Sequence, residues 1–373
     1  MLHNYRIIDG WMRNYGADWT VVTKVLCGNT DVIRALELMG TRSLGDSRLS
    51  NLRDIRNIFG NFQGWYLRVP APSSVADVVK LADVSLNSEI STLQALNEEA
   101  VRQQKTHRII IMIELGDLRE GILIKGLTDF YELVFNLSNI EVLGIGANFG
   151  CLSGMAPTAD QFMQLLLYRE LLELKFEHKL PLISAGSSAA LPMILKKQAP
   201  RGINHFRIGE ALFLGSDLIN GGLLPELRDD VMLLQAEIAE LKRKGTNIPA
   251  EAAGIAPFAA AAPAPDRAPP TQRGYRALIS IGHLDTNIDG LTPVNDTHQI
   301  AGASSDITVV SLGDDTGGLK VGDSIEFRMN YPALLHLMNC RYIEKVITPS
   351  LDKLTEIVNA PGQEKPPTDA FAQ

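Results

Sequence analysis

Short apolar runs alternate with longer segments of helical period along the first 220 or so residues of this chain. Trp19–Val25 is rich in β-branched residues and reads as a buried strand, and Thr30–Gly40 after it has helical period. Further strand candidates fall at 42–47, 64–70, 83–88, 107–116, 140–150, 180–186 and 205–215. Helical segments at 48–60, 74–82, 89–104, 126–138, 158–178 and 187–198 separate them. Eight strand candidates with seven intervening helical segments indicate an α/β fold with a parallel sheet, and the count favours a (β/α)8 barrel of the TIM type. An open doubly wound sheet is the weaker alternative, because no GxGxxG opens a helix.

The pattern changes after residue 225. Residues 255–270, IAPFAAAAPAPDRAPP, are dominated by alanine and proline, and a mobile loop is expected over 254–272. Beyond it, YRALISIG, HQIAGASS, DITVVSLG and SIEFRMNY are short β-type runs separated by Gly and Asp turns. DDVMLLQAEIAELKRKG, ahead of the loop, fits helix or strand by period alone. The expected division is an α/β barrel over 1–225 and a mostly β C-terminal domain over 226–373.

Composition narrows the class. A chain of 373 residues exceeds what one core usually serves, which agrees with two domains. The net charge of −8 argues against a nucleic-acid binder. Cys27, Cys151 and Cys340 lie far apart with no CxxC pair, which excludes a disulfide framework and a thiolate zinc site and suits a reducing compartment. No signal-type apolar core opens the chain and no run approaches the roughly 18 apolar residues of a membrane span, so a cytoplasmic protein with no membrane partner is expected.

In a barrel, functional residues sit at the C-terminal ends of the strands. Lys24 ends the first strand, and a charge there must reach water, find a partner or serve chemistry. Glu114 and Arg119 lie at and just after the end of the fifth strand candidate, Asn148 follows VLGIGA in the sixth, Ser187 and Ser188 follow the seventh, and Arg207 lies in the eighth. Barrel phosphate sites are commonly built from the last two of these loops, with amides at a helix N-terminus. AGSSAA and RIGEA supply small residues, hydroxyls and amides there, so a phosphorylated ligand is indicated.

Five motifs in order, VVTKVLCGN, IELGDLREG, GANFG, SAGSSAALP and HFRIGEALFLG, resemble the alanine-racemase-like (fold type III) pyridoxal-phosphate enzymes. The match is best to their ornithine and broad-specificity amino-acid racemase branch and runs from about residue 3 to residue 345. The resemblance implies a barrel with a β-rich C-terminal domain, the cofactor pyridoxal 5'-phosphate, and a homodimer with its active sites at the subunit interface. It implies that Lys24 carries the cofactor covalently, and a barrel mouth with cationic neighbours lowers a lysine pKa as that chemistry needs. Arg207 corresponds to the arginine facing the pyridine nitrogen, which an always-protonated guanidinium leaves unprotonated.

By the same resemblance Ser187 and Ser188, with the amides of Gly209 and Glu210, hold the phosphate, although two serines before a helix are also a plain N-cap. Tyr331 resembles a phosphate-binding tyrosine; a core tyrosine is the other reading. Arg119 fits the arginine touching the phenolic oxygen and the substrate carboxylate. Asn148 stands where alanine racemases often carry a histidine packed on the ring. Racemisation needs a proton removed on one face and returned on the other, so two bases are the simplest arrangement. Lys24 serves one face, and His283 aligns with the tyrosine that the partner subunit supplies in alanine racemases. His283 as a cavity-lining residue, with Asp285 or water acting instead, stays open. Ser304 and Ser305 occupy the segment that meets the substrate carboxylate, while Asp285, Asp289 and Asp306 offer acidity for the ammonium of ornithine or lysine. β-Turns also collect aspartates.

The chain departs from the family pattern at its start, where MLHNYRIIDGWM matches the first helix without the strand before it. Two alternatives accompany the expected racemase. A decarboxylase of this fold would use a cysteine of the second domain, here Cys340, and a non-catalytic pyridoxal-phosphate carrier would resemble the barrel alone.

Overall fold

The computed structural model describes residues 1–150, 152–244 and 274–360. The loop expected over 254–272 and Cys151 lie outside the described residues. Two compact units emerge, one of residues 1–228 with the segment from Val346, the other Asp229–Lys345. The last helix therefore groups with the barrel and not with the β-rich part in which the sequence division put it.

In the first unit eight parallel strands close into a barrel in chain order. They are β1 (Asp18–Val22), β2 (Ser43–Asp46), β3 (Gln63–Tyr66), β4 (Val84–Asn87), β5 (His107–Met112), β6 (Ile140–Ala147), β7 (Leu182–Ala185) and β8 (His205–Ile208). β8 pairs back onto β1, with Thr20 opposite Arg207. The barrel helices are α1 (Leu2–Tyr15), α2 (Thr30–Leu38), α3 (Leu49–Ile58), α4 (Val75–Leu81), α5 (Ile90–Arg102), α6 (Leu127–Phe135), α7 (Ala159–Phe176), α8 (Leu191–Leu195) and α9 (Glu210–Leu214).

Local rules explain these bounds. α1 buries Tyr5, Ile8, Met12 and Tyr15, one stripe at helical spacing, and stops at Gly16, whose φ of 86° is left-handed. α2 starts where the Asn29 side chain accepts from the Val32 amide, and α7 starts at a capping box of Thr158 and Gln161. Near the start of the β6–β7 pairing the chains come so close that a Cβ on Gly144 would lie 1.7 Å from the Leu182 carbonyl oxygen.

The barrel interior is layered. Val22, Trp65, Leu67, Val84, Leu86, Ile110 and Met112 form an apolar cluster. A polar layer is buried with it. His205 Nδ1 meets Ser184 Oγ at 2.8 Å, and its Nε2 meets Thr20 Oγ1 at 2.9 Å, which in turn meets Ser43 Oγ at 2.6 Å. Trp65 stacks on the imidazole with ring centroids 4.4 Å apart. Burial, with the Arg207 charge nearby, pushes His205 down to about 3, so the ring is neutral.

The second unit is an antiparallel six-stranded sheet in the order β11-β14-β9-β10-β13-β12. Its strands are β9 (Leu234–Lys244), β10 (Gly274–Ile279), β11 (Leu291–Pro293), β12 (Gln299–Ala303), β13 (Thr308–Gly313) and β14 (Ser324–Met329). The segment of ambiguous period is thus a strand: Leu234, Ala236 and Ile238 point inward while Gln235, Glu237 and Ala239 face out. β11 carries Pro293 at the sheet edge, where a missing N–H is tolerated. α10 (Tyr331–Asn339) packs Ala333 and Leu337 into the same core as Ile279, Val310 and Phe327. α11 (Leu351–Asn359), capped by Ser350, lies against α2 of the barrel unit.

Candidate active site

Lys24 is separated from the end of β1 by Thr23 alone and opens a short 3-10 turn, Lys24–Leu26, where it is half-buried. Thr23 before it is pinned to β2, its hydroxyl donating to Asp46 Oδ2 at 2.8 Å. Asp46 is fully buried; that burial raises its carboxyl, opposed by bonds from the Arg48 amide, Thr23 and Asn51. The backbone that presents Lys24 is therefore anchored from below.

Arg207, at the end of β8, is buried and spans three neighbouring strand ends. Nη1 donates to Ser184 O at 2.8 Å and Ser184 Oγ at 2.6 Å; Nη2 donates to Ala147 O at 2.9 Å and Asn148 Oδ1 at 3.0 Å. The Asn148 amide donates onward to Glu120 Oε1 at 2.9 Å. Glu120 is also held by Arg119, through Nε to Oε2 and through Nη2 to Oε1 at 2.5 Å. Arg119, Asn148 and Arg207, widely separated in sequence, are thus joined in one hydrogen-bonded chain.

The loop carrying Arg119 is folded around Glu114, whose carboxylate accepts from the Gly116, Leu118 and Arg119 amides at 2.6, 3.1 and 3.2 Å. That wrapping holds Leu118 at a left-handed φ of 56°. Asp117 Oδ1 ties this loop to the next by accepting from the Leu152 amide at 3.0 Å.

Ser187 and Ser188 occupy the loop after β7. Ser187 caps its own turn, accepting from the Ala189 amide at 3.3 Å, so the N-cap reading holds for it. Ser188 is buried and its hydroxyl accepts from the Ala211 amide in the first turn of α9 at 3.1 Å. The loops after β7 and β8 are therefore linked. Gly209 precedes α9 so close to β1 that a Cβ would lie 2.9 Å from Val22 O. Glu210 begins α9, and burial raises its carboxyl to about 7.

Of the residues expected in the β-rich unit, His283, Asp285, Ser304, Ser305 and Asp306 gather on two loops. The His283 amide donates to Ser304 O at 3.1 Å and the Leu284 amide to Ser305 O at 2.8 Å. The Ser304 and Ser305 hydroxyls both donate to Asp306 Oδ1 at 3.1 Å. His283 and Leu284 are exposed, the latter by 78%. The Asp285 carboxylate is used by its own turn, accepting from the Gly282 amide at 3.0 Å and from Cys340 Sγ at 3.8 Å. Asp289 is exposed beside Gly290, whose carbonyl accepts from the Asn330 amide at 2.9 Å just before Tyr331. Tyr331 is the half-buried first residue of α10, not a core tyrosine.

Sequence reading missed Glu120 and His205. Glu120 stands beside the more conspicuous Arg119, and its partner Asn148 comes 28 positions later. His205 sits two residues ahead of Arg207 on the same inward face, a period-two signal that marks it as interior.

The family profile "Alanine racemase, N-terminal domain" matches residues 1–217. An ornithine racemase of Acetoanaerobium sticklandii is 37% identical over 345 residues, covering 92% of this chain and 95% of that protein. A lysine racemase of Thermotoga maritima is 33% identical over 338 residues, covering 90% and 92%. The solved alanine racemase of Bartonella henselae with covalently bound pyridoxal phosphate aligns at a TM-score of 0.68 and 16% identity, over 92% of this chain and 96% of that one. The first three matches identify the lineage and the fourth agrees on the fold: the chain belongs to the alanine racemase family.

Proposed function

We propose that this protein is a pyridoxal-phosphate-dependent racemase of basic amino acids, with ornithine or lysine as substrate. Its two racemase relatives are named for those amino acids. The observation that carries the site assignment is the buried Arg207 fixed by four acceptors at one strand end while Lys24 leads out of the strand paired beside it.

The donor set fits pyridoxal phosphate. An aldehyde needs an amine, which Lys24 supplies. A pyridine nitrogen that stays unprotonated needs a fixed cationic donor, which Arg207 is. A phosphate needs hydroxyls and helix-start amides, which Ser187, Ser188, Gly209 and Glu210 offer, with the Tyr331 hydroxyl as a further donor. A half-buried carboxyl at Glu210 raised to about 7 is only about half ionised at neutral pH, which limits its repulsion of a phosphate. Bound there, the cofactor withdraws electrons from the substrate α-carbon and makes its proton acidic.

The chain's own residues then have separate tasks. Lys24 takes or returns the α-proton on one face. His283 serves the other, and we favour it over Asp285 because the Asp285 carboxylate is engaged by Gly282 and Cys340. Arg119, with Ser304 and Ser305, receives the substrate carboxylate, and Asp289 and Asp306 supply acidity for its terminal ammonium. Leaving such an ammonium buried and unpaired costs several kcal/mol.

The working form in this reading is a cytoplasmic homodimer in which a second copy covers the exposed Leu284 and supplies His283. Among the described residues no helix is long and apolar enough to cross a membrane. Incubation with L-ornithine or L-lysine in deuterium oxide tests the function. Exchange of the α-proton with appearance of the D-form supports it; carbon dioxide without D-product contradicts it.

A further inference from the structure

We propose that Glu120 is a positioning residue, whose two carboxylate oxygens aim Arg119 at the substrate carboxylate and hold Asn148 against Arg207. This rests on the racemase reading above. Arg119 and Glu120 are sequence neighbours, and an exposed pair of that kind gives little, because ordering two long side chains offsets the attraction. This pair differs in burial and geometry. The Glu120 side chain is only 12% exposed and meets Arg119 in a two-point fork, from Nε and from Nη2.

The oxygen that takes Nη2 also takes the Asn148 amide, so one carboxylate orients two residues of the site. Burial disfavours the ionised form of Glu120, but the bonds and charge of Arg119, with the Asn148 amide, outweigh it and hold the carboxyl below its ordinary value. The backbone under Arg119 is fixed independently, by Glu114 accepting from its amide at 3.2 Å. With main chain and side chain both held, the guanidinium is oriented before a ligand arrives, which is what a carboxylate-binding group needs for tight positioning.

The test uses the cofactor-loaded enzyme and the isosteric Glu120→Gln variant, which keeps one oxygen for Asn148 and loses the charge and the fork. We expect KM for the substrate to rise about tenfold while kcat stays within about threefold, the pattern of lost carboxylate binding. Propionate, a bare carboxylate probe, should bind about tenfold more weakly when followed through the absorbance of the bound cofactor, an assay independent of turnover. In an Arg119→Ala background the same substitution should add nothing to either quantity, since Glu120 acts through Arg119. If Glu120→Gln does not fold, Glu120→Asp, which keeps the charge but shortens the reach, is read by the same criteria. A folded variant with unchanged KM and propionate affinity overturns the proposal, as does an undiminished effect in the Arg119→Ala background. An active wild-type enzyme with an indifferent Glu120→Gln sinks only this inference; a wild-type protein that racemises no amino acid sinks it together with the functional reading.

Discussion

Arg207 and Asn148 meet at 3.0 Å, guanidinium Nη2 to amide oxygen, and tie the end of β8 to the end of β6. Both the Ala147 and Ser184 carbonyls point at the same guanidinium. In Arg207→Glu a buried carboxylate would face those carbonyl oxygens. Thermal unfolding should show a loss of roughly 3–5 kcal/mol. In the fraction that folds, removing the fixed donor lets the ring nitrogen protonate, and transamination should gain on racemisation. A stable variant with an unchanged reaction ratio would place Arg207 away from the ring.

Lys24→Ala should give a colourless protein to which borohydride fixes no cofactor, with racemisation lowered by at least about 10³-fold. Cofactor still fixed after reduction would mean that another amine carries it.

Gly144 and Gly10 give a matched pair. A methyl at Gly144 would fall 1.7 Å from Leu182 O, whereas at Gly10, in α1, it would meet nothing within 4 Å. Gly144→Ala should cost about 3 kcal/mol or more by forcing the β6–β7 seam apart. Gly10→Ala should stabilise by about 0.5–1 kcal/mol through helix propensity. Chemical denaturation of both variants measures the contrast, and equal stabilities would show that the seam yields.

The buried histidines set an acid limit. Burial pushes His107 down to about 4, and burial with the Arg207 charge takes His205 to about 3, from an ordinary 6.5. Between those values the unfolded chain binds more protons than the folded one, so stability falls with falling pH. The contribution is complete above 6.5 and, for His107, amounts to roughly 3 kcal/mol. Glu210 has the opposite sign: with its folded carboxyl raised to about 7, its contribution is present below 4.5 and lost as pH rises through 7. The melting temperature followed from pH 7 to pH 4 should therefore fall less steeply in His107→Asn than in the wild type. Parallel profiles would rule out His107 as a source of the acid sensitivity.

Much of the barrel was legible because strands such as β1 and β5 are short and rich in β-branched residues and the helices carry one buried stripe, as Tyr5, Ile8, Met12 and Tyr15 do in α1. Lys24 stood out because a charge rarely ends such a run. β9 stayed ambiguous because charged residues from Glu237 to Lys244 can mimic a polar helix face until pairing with β10 and β14 fixes the period. β11 escaped notice: it is three residues long and contains a proline. α11 was assigned to the wrong compact unit because sequence order does not reveal that the chain returns to α2. The Arg119–Glu120–Asn148–Arg207 chain was illegible for the same reason. Arg119, Asn148 and Arg207 were visible singly and Glu120 was not, and the connection among the four depends on three strand ends meeting in space.

The central claim is interconversion of the two forms of a basic amino acid. It is tested most directly by offering the cofactor-loaded enzyme L-ornithine, L-lysine, L-arginine, L-alanine and L-serine separately and resolving the products on a chiral column. D-ornithine or D-lysine should form fastest, and the D-form should return the same mixture from the other side. Alanine turned over ahead of both, or carbon dioxide released without any D-amino acid, would contradict the account.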